Sequence, residues 1–171
     1  MSRIAGSSAE VAYRELRRRF VPVTSTLLAC LVSIIPVVAQ APVLPDFGFL
    51  VLITWRLLRP EIWPAYVALG IGLFSDLVSG HPIGQSMALW TTMFLLFDAL
   101  DGLTGFRDYW LDWVVAAAAI SFHTAGTWYV ARYMGSPIPF SVMVPQLLLS
   151  IFAYPLVARL VLGLDRWRLA R

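Results

Sequence analysis

FVPVTSTLLACLVSIIPVVAQAPVLP, residues 20–45, is a run of 26 residues without a formal charge. As a helix rising about 1.5 Å per residue it is long enough to cross a hydrocarbon core of about 30 Å. WVVAAAAISFHTAGTWYVA, residues 113–131, repeats the pattern over 19 residues. The whole chain is built this way. Of its 171 residues 59% are hydrophobic and only 13% charged, and its mean hydropathy is +0.75. A soluble domain carries about 25% charged residues, so half that share cannot wet a globule of this size. An ordinary soluble enzyme is excluded, and the apolar excess excludes disorder. A membrane-embedded protein remains.

Six spans are expected. The first is Phe20 to Pro45, ended by Asp46. The second starts at Phe47 and spans only if it reaches Leu58, with Arg56 snorkelling to the surface. After the turn Arg59-Pro60-Glu61 come a third from Ile62 to Ser79 and a fourth from Ile83 to Phe97, parted by Gly80-His81-Pro82. Asp98 to Asp112 reads as a polar connection. The fifth is Trp113 to Ala131, and the sixth falls within Tyr133 to Ala158, its start blurred by prolines. The domain plan is a basic tail (1–19), a six-helix membrane domain (20–160) and a short basic tail (161–171).

All 13 basic residues are Arg, and the net charge is +3. With the N-terminus inside and the spans alternating, 12 arginines fall inside and only Arg132 outside, as the positive-inside rule requires. Both termini are then cytoplasmic. Trp55, Trp63, Trp110, Trp113 and Trp167 fall near the inner boundary, Trp128 and Tyr133 near the outer one. Arginines at the ends of apolar runs suit orientation better than nucleic-acid binding. Val11 to Phe20 reads either as an interfacial helix on anionic headgroups or as a topogenic cluster alone. Arg17-Arg18-Arg19 followed by Ala39-Gln40-Ala41 also has the outline of a signal peptide. Its apolar stretch is too long, and Pro42 directly after the cut argues against cleavage.

Catalytic and cofactor motifs are missing: no G-x-S-x-G, Walker loop, H-E-x-x-H or C-x-x-C. Gly70-Ile71-Gly72 opens like a dinucleotide motif but lies in an apolar helix without the last glycine. One cysteine, Cys30, and two separated histidines are a poor metal inventory. No enzyme activity, cofactor or metal is expected.

Charges at membrane depth are costly and face protein or water. Asp76 is the first of them. Ala65, Ala68, Gly72, Ser75 and Ser79 share a face of its helix, where another helix can come close. Asp76 then either organises a helix junction, accepting hydrogen bonds from the Gly80–Gly84 turn, or sits solvated near the outer surface. His123, near the midplane of the fifth span, reads as a neutral histidine bonded between helices or as a proton or ligand site with Asp76. Asp98, Asp101, Asp108 and Asp112 read as a solvated loop or docking surface, since their spacing matches no Ca²⁺ loop. Pro137, Pro139, Pro145 and Pro155 suggest bends.

Residues 45–89 resemble the rod shape-determining protein MreD family. The resemblance rests on Pro45-Asp46-Phe47, Trp55-Arg56, Arg59-Pro60-Glu61, the run from Gly72 to Gly80, Pro82-Ile83-Gly84 and Ala88-Leu89. These match a proline before the second helix, a W-x-x-x-x-P turn and a G-L-x-x-D-x-x-x-G-x-x-x-G signature. Residues 100–171 match only in hydropathy. The resemblance implies a six-helix fold similar to the substrate-binding subunits of energy-coupling-factor transporters. It also implies a non-catalytic role in the bacterial inner membrane. There, with an MreC-like protein, the filament protein MreB, a RodA-type glycosyltransferase and a transpeptidase, it would guide lateral peptidoglycan synthesis and cell shape. Pro45, Trp55, Pro60, Gly72, Asp76, Gly80 and Gly84 are the expected junction or partner-binding residues. The alternative is a substrate-binding subunit of a small-molecule transporter, with His123, Asp76 and the prolines lining its pocket. A membrane enzyme acting on lipid precursors through Asp98, Asp101 and Asp112 is the weakest of the three.

Overall fold

A computed structural model describes residues 8–34, 44–101, 109–136 and 138–169. Within them lie six α-helices and no strand: α1 Ser8–Leu31, α2 Phe47–Leu58, α3 Ala65–Ser79, α4 Gln85–Asp101, α5 Tyr109–Tyr133 and α6 Val144–Leu169. Short 3-10 turns occupy Val32–Ile34, Pro60–Ile62 and Phe140–Val142. The Ala39-Gln40-Ala41 stretch, Arg107, Asp108, Pro137 and both extreme termini lie outside the described residues.

The breaks follow from local chemistry. Asp46 caps α2 by accepting a 3.0 Å hydrogen bond from the Phe49 N–H. Arg59 ends it, because the residue before a proline avoids the helical region. Gly80 closes α3 in the left-handed conformation, φ +69°, where a side chain would be strained. Pro145 sits in the first turn of α6, where its missing N–H costs nothing. Pro155 lies inside α6, and membrane helices tolerate this.

Several boundaries differ from those expected. The first helix runs through the basic segment from Ser8 and gives way to the 3-10 turn at Val32, so it is displaced toward the N-terminus relative to Phe20–Pro45. α4 continues past Phe97, which puts Asp98 on a helix instead of in a connection. α6 is shifted toward the C-terminus and takes in Arg159, Arg166 and Arg168. Helix propensity carries an arginine-rich end onward, because arginine is a good helix former. Hydropathy marks only the part of a helix that sits in lipid.

Two helices are long and apolar enough to cross a membrane: Trp110–Tyr133 and Phe140–Leu169, the latter counted with its leading turn. α2 and α3 are shorter apolar helices. At 12 residues α2 extends about 18 Å, short of a full crossing. Its environment explains the length. Phe49, Leu50, Leu52, Ile53 and Trp55 are all essentially inaccessible, so α2 is apolar all round because protein surrounds it. It packs against α1, α5 and α6, while α3 and α4 form a tight hairpin beside α1. The core adds Trp63, Trp90, Phe94 and Phe97, with Ala116, Ala119 and Ile120 of α5 and Tyr154, Val157 and Val161 of α6. Trp55 and Trp63 are therefore core residues and not part of an interfacial belt, whereas Trp110 and Trp167 are exposed.

The outward surface is apolar. On α6, Leu148, Phe152, Leu156, Leu160 and Leu164 recur every four residues, and all are exposed. A soluble monomer rarely shows a contiguous apolar patch of this extent. Hydrocarbon solvates such a face without cost.

Candidate functional site

The turn end of the α3–α4 hairpin is organised by Asp76. Its side chain is 1% exposed, and its carboxylate meets the first N–H groups of α4. The Gly84 N–H donates to Oδ2 at 2.9 Å, the Ser86 N–H to Oδ1 at 2.8 Å, and the Met87 N–H reaches Oδ2 at 3.5 Å. A helix N-terminus leaves such donors unsatisfied and carries a partial positive charge, so one buried acid from α3 answers both needs. The solvated placement of Asp76 is thereby excluded. The glycines of the signature have separate tasks. A Cβ on Gly72 would lie 2.7 Å from the Met87 Cα and 2.8 Å from its N, so only glycine lets the two backbones touch. Gly80 and Gly84 both have positive φ, +69° and +97°, and form the turn between the helices.

The other expected junction residues occupy α2 and its ends. Pro45 is buried just before the Asp46 cap, and Pro60 is exposed at the start of its turn. Trp55 donates its indole N–H to the Ser25 hydroxyl at 2.9 Å, tying α2 to α1, and carries the Arg168 guanidinium 5.3 Å from its ring centroid. Trp55 thus lies in the central helix α2 and Pro45 and Pro60 flank it, while Gly72, Asp76, Gly80 and Gly84 belong to the hairpin. The signature describes two structural devices.

Two features are not visible in the motif. His123 stacks on Phe49, ring centroids 4.3 Å apart, with Trp90 6.3 Å away. Its Nε2 lies 3.8 Å from Asp46 Oδ2, beyond hydrogen-bond range, and among the described residues both atoms are buried without a hydrogen-bond partner. Asp46, not Asp76, is thus the carboxylate paired closely with His123. The expected hydrogen bond between helices is not made by Nε2. Asp46 could be singled out only as a helix-capping acid, because its approach to His123 depends on α5 packing against α2.

The second feature lies at the opposite end. Arg56 does not snorkel. It is 2% exposed, forms an ion pair with Asp98 of α4 and lies over the Phe94 ring. Asp165 of α6 accepts from Arg59 at 2.9 Å and from Arg168 at 2.7 Å, and Arg168 donates onward to the Arg18 carbonyl at 2.6 Å. These contacts join α1, α2, α4 and α6. The Asp165 hydrogen bond raises the Arg59 pKa above its ordinary value, against the opposing effect of burial, so Arg59 remains a cation. Charged pairs of this kind hold register more than they add stability. Among the described residues no group of three or more His, Cys, Asp or Glu is placed to hold a metal ion.

Fold and site define an all-helical protein with two membrane-crossing candidates and an acid-capped helical hairpin. Comparison with family models, with curated proteins and with solved structures found no match for this chain.

Proposed function

We propose that this protein is a multi-pass, non-catalytic scaffold of the bacterial inner membrane. It would serve the cell-elongation machinery by presenting a shaped helix surface to a transmembrane helix of an MreC-like partner. All six helices would contribute to the membrane bundle, with the arginine-rich ends of α1 and α6 beyond the lipid and α2 shielded inside. What supports the reading above all is the Asp76–Gly72 hairpin. The motif that carries the resemblance is the one that locks α3 to α4 in a single geometry, and that geometry fixes the outward face of α3, where Tyr66, Leu69 and Leu77 are exposed. A rigid apolar face suits helix–helix recognition in lipid, which depends on close packing. The RodA-type glycosyltransferase and the transpeptidase would join through that complex.

Co-purification from native membranes tests this. The wild-type chain should bring down an MreC-like protein. Asp76→Ala should lose that complex and the rod shape while still inserting. Leu69→Ala with Leu77→Ala removes surface side chains only, and should cut recovery of the partner by about tenfold, equivalent to about 1.4 kcal/mol. Normal recovery and normal rods from both variants would contradict the proposal.

A second reading, a substrate-binding subunit of a small-molecule transporter, draws on the unpartnered Asp46 and His123 atoms, since buried polar groups ordinarily find partners. Tight binding of a small molecule by the purified protein, with no partner retained, would favour it.

A further inference from the structure

Gly163 lies near the middle of the C-terminal half of α6, and nothing among the described residues accounts for it. Among the described residues a Cβ there would meet no atom within 4 Å. Its φ is not in the left-handed region. A glycine inside a helix weakens it relative to alanine, so a gap on the outer surface is left to be explained. Its neighbours supply the explanation. Arg159 and Arg166 are seven residues apart, which places them on one helix face about 10.5 Å apart, and Gly163 lies between them. Both arginines are exposed, and neither makes an ion pair among the described residues. Asp165, the nearby acid, is already engaged by Arg59 and Arg168. Trp167 adjoins them, 54% exposed, with the Arg17 guanidinium of α1 5.1 Å from its ring centroid. Leu156, Leu160 and Leu164 extend from this cluster along the same exposed side of α6.

We infer that Arg159, Gly163, Arg166 and Trp167 form a binding site for an anionic phospholipid. The phosphate would lie in the notch at Gly163 between the two guanidiniums, and an acyl chain would run along the leucines. Arginine matches phosphate with paired N–H donors, and an indole ring favours the headgroup level. The absent side chain lets the headgroup reach the helix. The inference rests on the multi-pass reading.

Full-length protein in a neutral detergent would be titrated with phosphatidylglycerol, with phosphatidylcholine of the same acyl chains, and with inorganic phosphate, and the lipid bound read by native mass spectrometry. Phosphatidylglycerol should bind at least tenfold more tightly than phosphatidylcholine, and inorganic phosphate should not compete. R159Q/R166Q should remove that preference, R159K/R166K should keep part of it, and G163L should weaken binding without lowering the melting temperature, since its side chain enters open space. Equal binding of both lipids, competition by free phosphate, or unchanged binding in R159Q/R166Q and G163L would overturn the site. So would a concentration-dependent dimer of the wild type that G163L abolishes, because a second copy would then occupy the notch. Carbonate extraction of membranes separates the failures. A chain that stays in the pellet but lacks the lipid preference loses only this site, and a chain that is released loses the multi-pass reading.

Discussion

Asp76→Ala should lower the melting temperature of the detergent-solubilised protein by about 6–12 °C, the shift expected for a loss of about 3 kcal/mol in a chain of this size. The magnitude follows from what the carboxylate does. It accepts from Gly84 and Ser86 at short range in a site closed to water, and a buried donor left without a partner costs about 1–3 kcal/mol. The carboxylate also neutralises the helix N-terminus. Asp76→Asn keeps the shape but offers one acceptor oxygen in place of two, and its amide donor would face an N–H. It should recover no more than about half of the loss. A full recovery by asparagine would mean that shape, not acceptor capacity, is what the position needs. The check is a melting curve of each variant in one detergent, read alongside insertion level.

Gly72→Leu should be as damaging for a different reason. The new Cβ would fall 2.7 Å from the Met87 Cα and 2.9 Å from the Ser86 carbonyl carbon. These are backbone atoms, and no rotamer change relieves the contact. α3 and α4 must separate, which also pulls Asp76 away from the N–H groups it caps. Overpacking alone costs about 1–3 kcal/mol, and the lost hydrogen bonds add to it, so a loss of about 3 kcal/mol or more is expected. Gly72→Ala shares the Cβ and should show most of the effect. Gly70→Ala, two residues earlier and with no described residue within 4 Å of its Cβ, should be neutral or slightly stabilising, because alanine is the better helix former. Melting curves of the three variants test the contrast. A Gly72→Ala protein as stable as Gly70→Ala would show that the close approach is not made.

How much of this could be read in the sequence depended on how local the cause was. Asp76 is legible as an acid among small residues at helical spacing, and its partners Gly84, Ser86 and Met87 are only eight to eleven residues away. Gly80 was legible as a helix stop for the same local reason. Arg56 reads as snorkelling in the sequence because its ion-pair partner, Asp98, is 42 residues distant and falls in what looks like a connection. Trp55 and Trp63 read as interfacial in the sequence, because tryptophans beside an arginine turn look so until the packing of α2 among other helices is known. Hydropathy misplaces the ends of α1 and α6, because it responds to apolar content, whereas a helix continues as far as its hydrogen bonds can. The Asp46–His123 approach joins residues 77 apart and has no local signal.

The account depends on α2–α3 and α5–α6 running as membrane hairpins whose Asp–Arg ends face the cytoplasm. Single cysteines at Glu61, Tyr133 and Trp167, each in a Cys30→Ser background, test this in intact cells with a membrane-impermeant thiol reagent. The account predicts modification of the Tyr133→Cys protein alone, with Glu61→Cys and Trp167→Cys reacting only after the membrane is opened. Reaction of Glu61→Cys or Trp167→Cys in sealed cells, or protection of Tyr133→Cys, would contradict it.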